Sequence, residues 1–411
     1  MAHIGFVEAS ITGAGRLAIE FAKAAGHQVT FLSRDPGSYD RYIPNLGDRV
    51  VVVETNDPAR LTALVARLHR ENPFHGITTT ADFHVPQAAA AAQRLGLPGL
   101  TFEGAMNARN KYRMRELLQR RHPHLNPRYL RVIAEEDVSR ALLEVGVPCV
   151  AKPLNNNNGN CVKRIETESQ LRDYWTWSTS WTTNSAKQKL EDGFLVEALI
   201  LGMEVSVETV QPYRGGRQLI GVTGKTLTGV ERGHFVEAAH CFPFEAADVG
   251  LIYAGVSDCL DALDVTCGVI HTECRIAPSG VKIIEVNPRL AGGKIGSHLV
   301  EIATGNNPVQ HVIDIALGEA APWTPKFAKG AAIRYLSAPR AGRFLGLENE
   351  AELRTLAGVT DVFILKEPGE AVTLPEANED RLVSIVAEGA DAQVALQRVD
   401  DAAARARLRI D

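Results

Sequence analysis

Along the first hundred residues, short apolar runs at 4–7, 29–32, 50–53 and 77–80 alternate with stretches of helical spacing at 15–25, 58–70 and 85–95. Strand and helix taking turns in this way predicts βαβ units and a parallel sheet. Past residue 108 the pattern changes. A basic helix opens at Asn107 in NARNKYRMRELLQRR, and Pro123 and Pro127 mark its end. A helix in EEDVSRALLEVG and a strand over 147–153 follow. Residues 194–208 read as a strand, a connector ending at Gly202 and a second strand; 219–225 and 235–240 continue an antiparallel sheet. A helix over 248–263 precedes a hairpin at 271–293, and helices at 297–304 and 308–317 come after it. Residues 322–330 look like a linker or edge segment. Strands at 331–336 and 362–365 and a helix at 390–405 complete the pattern, α/β first and α+β afterwards.

The hairpin, HTECRIAPSGVKIIEVNPRLAGG, turns at Ala277-Pro278-Ser279-Gly280. One register sets Glu273 opposite Glu285 and His271 opposite Asn287, all on one face. Thr272, Cys274, Ile276, Ile284 and Val286 then share the other face. A slip of one residue would separate the glutamates and mix charged with apolar positions, so the first register is expected. Two carboxylates, a carboxamide and an imidazole on one face suit Mg²⁺ held between protein and nucleotide phosphates.

A length of 411 residues allows two or three domains. A net charge of −5 gives no general attraction to nucleic acid or anionic membrane. Small molecules and copies of itself are the expected partners. The cysteines, Cys149, Cys161, Cys241, Cys259, Cys267 and Cys274, form no C-x-x-C pair and read as reduced, mostly buried thiols. No apolar run reaches the roughly 18 residues of a membrane span, and no signal-peptide pattern opens the chain, so a cytoplasmic protein is expected.

Several segments carry candidate chemistry. Lys111, near the start of the basic helix, can reach a phosphate site, although such a charge run also makes a solvated face. Lys152 ends a strand just before Asn155-Asn156-Asn157-Asn158-Gly159-Asn160, residues that tolerate positive φ and let backbone amides face phosphate oxygens. Glu197 and Glu204 sit among apolar neighbours, where carboxylates need partners. Glu237 and His240 lie three apart on a strand and would face opposite sides unless a bulge intervenes. Gly13 to Ala18 spells G-x-G-x-x-A with Arg34 some 20 residues on, which would suit NADP. Five residues separate it from its strand, however, which favours a purely structural turn. Trp175, Trp177 and Trp181 read as packing.

The ordered set of these segments resembles the ATP-grasp superfamily of carboxylate–amine ligases, and within it the L-amino-acid (dipeptide) ligases. The resemblance implies a Rossmann-like preATP-grasp domain at 1–108, an ATP-grasp core at 109–325 with a lid subdomain at about 127–197, and a small carboxylase-like C-terminal lobe at 326–411. It implies ATP phosphates on Lys111 and Lys152, adenine along Glu197, Leu199 and Ile200, and ribose on Glu204. Glu273, Glu285 and Asn287 would bind Mg²⁺, for which Mn²⁺ could substitute. Arg289 would face the substrate carboxylate and the transferring phosphoryl group, His271 that group or a metal ligand, and Glu237, His240 and Gly293 the bound amino acid. The implied reaction joins an amino acid to a second amino acid or small carboxylic acid through an acyl phosphate, in a homodimer. The asparagines depart from the usual Gly/Ser-rich loop. A carboxylase-like or nucleotide-biosynthetic ATP-grasp enzyme, an NADP-dependent oxidoreductase and a non-catalytic ATP-binding protein are the alternatives.

Overall fold

The structure is a computed structural model that describes residues 1–319 and 322–411. The alternating N-terminal pattern folds into a four-stranded parallel sheet, in the order Arg49–Val52, Gln28–Ser33, His3–Val7 and Gly76–Thr78. Helices Ala14–Ala24, Pro58–Glu71 and Val85–Leu95 connect or flank these strands. Asp57 caps the second of them, accepting hydrogen bonds from the amides of Ala59 and Arg60, and Pro58 begins it. Two apolar clusters cover the sheet, one built on Ile4, Phe6, Ile19 and Phe31 and the other on Val7, Leu32, Leu61 and Val65.

The basic stretch forms two helices, Phe102–Arg109 and Lys111–Arg121, broken at Asn110. The Asn110 side chain caps the second helix by accepting from the Arg113 amide, so Lys111 is its first residue. A small antiparallel sheet follows, in the order Tyr129–Val132, Phe194–Ala198, Cys149–Pro153 and Lys163–Ile165. Helices Glu136–Glu144 and Glu168–Ser178 accompany it. Trp177 and Trp181 pack edge-on against Tyr174, as packing residues should.

The largest sheet has eight strands, ordered Gly280–Asn287, Gly268–Ala277, Met203–Gln211, Gln218–Thr228, Val236–Phe242, Gly330–Ser337, Arg381–Gly389 and Val359–Ile364. The C-terminal strands therefore extend the central sheet, and Gly330–Ser337 is the edge at which they join. The hairpin has the expected register, His271 opposite Asn287 and Glu273 opposite Glu285. One expectation fails there. A bulge after Glu273 pairs Cys274 with Ile283, so Ile283 is buried in the core while Ile284 turns to the polar side. Strict alternation could not anticipate the extra residue.

Candidate active site

The hairpin's polar face, the small sheet, the asparagine-rich loop and the start of the C-terminal strand Arg381–Gly389 enclose a cleft of about 1200 Å³. Lys111, Lys152, Glu197, Leu199, Ile200, Glu204, Glu237, His271, Glu273, Glu285, Asn287, Arg289 and Gly293 all line it. His240 does not reach its surface. It lies fully buried beneath Gly293, whose missing Cβ would stand 3.0 Å from His240 Nε2 and from the Tyr335 hydroxyl.

At one end the charges come paired. Glu197 sits opposite Val150 on the neighbouring strand, which puts Lys152 diagonally across on the same face. The Lys152 ammonium is 2.8 Å from Glu197 Oε2, while Arg115 Nε lies 2.6 Å from Oε1. Burial alone would raise the pKa of Glu197, but Arg115 and Lys152 outweigh it and hold the carboxyl at about 2. The Glu197 side chain thus fixes Lys152 and is itself engaged on both oxygens. Lys111 Nζ donates to Glu285 Oε1 at 3.0 Å and to the Asn156 carbonyl at 2.8 Å, which ties the loop to the hairpin.

In the middle, two pairs sit directly across adjacent strands, Arg275 with Glu204 and His271 with Glu208. Arg275 Nη2 donates to Glu204 at 2.8 Å. Burial opposes protonation of His271, yet Glu208, 3.0 Å from its Nδ1, and Glu273, 3.2 Å from Nε2, push its pKa up to about 9. Asn287 Oδ1 is buried and has no hydrogen-bond partner among the described residues. An orphaned carboxamide oxygen beside the Glu285 and Glu273 carboxylates forms a donor set of oxygens alone, and that fits a hard divalent cation.

At the other end a bulge skips Ala238, so Glu237 and His240 turn to the same side, with Nε2 3.5 Å from Glu237 Oε2. Fully buried Lys225 donates to Glu237 Oε1 at 2.8 Å and lies 3.3 Å from Glu273. Burial would lower its pKa, but the surrounding carboxylates raise it, so the lysine stays charged. Arg381 faces Glu237 at 3.6 Å, rests 3.9 Å over the Tyr335 ring and donates to the Asn378 carbonyl at 2.7 Å. Asn378 Nδ2 donates to Glu237 as well, at 3.1 Å.

The Gly13–Ala18 turn opens onto none of this. A Cβ on Gly15 would stand 2.4 Å from the Ser10 carbonyl, and one on Gly13 3.2 Å from Lys294 Nζ, so close packing accounts for both glycines. Arg34 donates to the Ala186 carbonyl.

Three family models match successive parts of the chain: an ATP-grasp N-terminal domain over residues 19–99, an ATP-grasp domain over 145–298 and an L-amino acid ligase C-terminal domain 2 over 334–411. The chain belongs to the ATP-grasp superfamily. An uncharacterized protein y4rH of Sinorhizobium fredii is 26% identical over 91% of this chain and 76% of its own length. A formate-dependent phosphoribosylglycinamide formyltransferase of Chlorobium phaeobacteroides is 24% identical over 68% and 69%. Among solved structures, an L-amino acid ligase from Bacillus licheniformis superposes with a TM-score of 0.83 at 22% identity, covering 100% of this chain and 99% of that one. An N5-carboxyaminoimidazole ribonucleotide synthetase from Thermotoga maritima gives 0.72 at 16%, covering 100% of both chains. Among the described residues, no helix of this ATP-grasp protein is long and apolar enough to cross a membrane.

Arg115, Lys225, Arg275, Asn378 and Arg381 join the site without having been among its candidates. Arg275 was within reach, because the strand pairing that sets Glu208 opposite His271 also sets Glu204 opposite Arg275. Lys225 sits among Thr223, Gly224 and Thr226, which gave its burial no apolar signature. Arg381 carried no local signal, since its partner Glu237 lies far back along the chain.

Proposed function

We propose that the protein is an ATP-dependent carboxylate–amine ligase that joins an amino acid to a second amino acid or small carboxylic acid, with release of ADP and phosphate. The observation that carries this reading is that two buried lysines and the oxygen ligands share one cleft with a second cluster, Glu237, Arg289 and Arg381, suited to a zwitterion. The C-terminal match to the amino acid ligase model agrees with it.

Adenine lies along the backbone of 197–200 and against Ile284, with the ribose hydroxyls on Glu204. Lys111 and Lys152 meet the phosphates. Glu273, Glu285 and Asn287 would hold Mg²⁺, which when bound neutralises phosphate charge. A substrate carboxylate oxygen attacks the γ-phosphorus, the bond to the β,γ-bridging oxygen breaks, and ADP leaves an acyl phosphate. The amine then attacks the acyl carbon, expels phosphate and loses a proton to form the amide. Arg289 balances charge on the transferring group, and Glu237 receives the substrate ammonium. Positioning and charge neutralisation do most of the work in such transfers.

Phosphate release from Mg·ATP with pairs drawn from the twenty L-amino acids and small carboxylic acids tests this reading. Release that requires both an acid and an amine is expected. Turnover only with a phosphoribosyl amine would assign the protein instead to the nucleotide-biosynthetic branch, to which its sequence relative from Chlorobium belongs by name.

A further inference from the structure

One buried acid from the N-terminal sheet region reaches the cleft wall and has no part in the chemistry above. Asp82 follows the parallel strand Gly76–Thr78 and is buried. Its Oδ1 accepts from Arg289 Nε at 3.1 Å, while its Oδ2 accepts from the Asn157 carboxamide at 3.0 Å and faces Arg109 Nη1 at 3.2 Å. Burial works against its charge, but Arg109 and Arg289 hold the carboxyl well below the ordinary carboxylate range. Arg289 Nη1 donates to the Leu290 carbonyl at 2.9 Å. With Nε and Nη1 both engaged, the guanidinium is fixed in plane and Nη2 is the end left for a ligand.

We propose that Asp82 is a positioning residue that aims Arg289 at the reacting group and, through its second oxygen, ties that aim to closure of the asparagine-rich loop. The two tasks share one carboxylate, one oxygen each, so its loss loosens both the guanidinium and the loop. This also accounts for an amide side chain in a loop where a hydroxyl would be shorter. Asn157 spans to the N-terminal region, while Asn158 and Asn160 each donate to Glu379 of the C-terminal segment at 2.9 Å. The run of asparagines thereby joins three parts of the molecule over the phosphates. The role assigned to Arg289 rests on the proposed ligase reading.

A double-mutant cycle tests it. With Mg·ATP and a pool of the twenty L-amino acids, Asp82→Ala should lower kcat about 100-fold, the scale of a misplaced catalytic group, and change KM for ATP less than about threefold. In an Arg289→Lys background, which keeps the charge but loses the planar fork, the same change should cost less than about threefold. Losses that multiply, or an unchanged kcat, would overturn the positioning role while leaving the ligase reading intact. Full turnover in Arg289→Lys and in Arg289→Ala would refute the ligase reading's use of Arg289 instead. Asp82→Asn, nearly isosteric, carries the same cycle if the alanine variant folds poorly. The loop arm needs no substrate. Amide hydrogen exchange over residues 155–162 with Mg·AMP-PNP should be at least about 10-fold faster in Asp82→Asn than in the parent, and equal exchange would remove the tie.

Discussion

At one end of the cleft, Lys152 and Glu197 meet diagonally across adjacent strands of one small sheet, and Arg115 closes the group from a helix behind it. At the opposite end, Glu237 is met by Lys225 from the neighbouring strand and by Asn378 and Arg381 from the C-terminal segment. Both ends bury charge, but they solve the problem differently. The first sets one carboxylate between two cations from neighbouring elements, before any ligand arrives, and keeps a surplus positive charge. The second brings together cations from distant parts of the chain, and Arg381 Nη1 stands 3.6 Å from Glu237 without a hydrogen bond among the described residues. An end whose cations are fixed by adjacent elements suits a constant anionic ligand, whereas an end assembled from distant segments suits a variable one.

The largest expected effect comes from Glu285, which lies between the two ends. Glu285→Gln keeps the shape but removes the charge that both Lys111 and a divalent cation require, and ADP formation should fall by about 1000-fold or more. An intact circular dichroism spectrum would show that the fold survives, and retained turnover would take Glu285 out of the site.

Next, the local balance can be broken directly. Glu197→Gln leaves Arg115 and Lys152 buried without their counter-charge and should cost about 3–5 kcal/mol in denaturant unfolding. The sign with pH follows from the depressed carboxyl. Its stabilising contribution is complete above the ordinary value of 4.5 and is lost as pH falls through about 2. The parent's melting temperature should therefore drop over that window, and the variant's should drop less. Parallel curves would contradict the ion-pair account.

A smaller and more selective effect is expected at the far end. Arg381→Ala should raise KM for the amino acid about 10-fold while changing KM for ATP less than about twofold, because it touches only the substrate cluster. Equal effects on both substrates would erase the distinction between the ends.

The same contrast explains what was legible beforehand. Strands, register and the metal-type face followed from alternation and turn residues, which act over a few positions, and the paired Glu273 and Glu285 emerged from that alone. The three-residue spacing of Glu237 and His240 named a bulge only as the condition for their meeting, and the bulge at Ala238 meets it. The bulge that exchanges Ile283 and Ile284 was not legible, since either isoleucine satisfies the core. Asp82 and Arg381 were invisible for a different reason, as their partners are fixed by how separate parts of the chain dock. The side chain of Glu197, whose partners no local pattern named, finds its task in pairing with Lys152 and Arg115.

The central claim is that a substrate carboxylate is activated by direct phosphorylation. Amino acids labelled with ¹⁸O in their carboxyl groups, supplied with Mg·ATP, test it in one step. Transfer through an acyl phosphate places one ¹⁸O in each inorganic phosphate released, and mass spectrometry of the phosphate should find it. Phosphate released without the label would contradict the account.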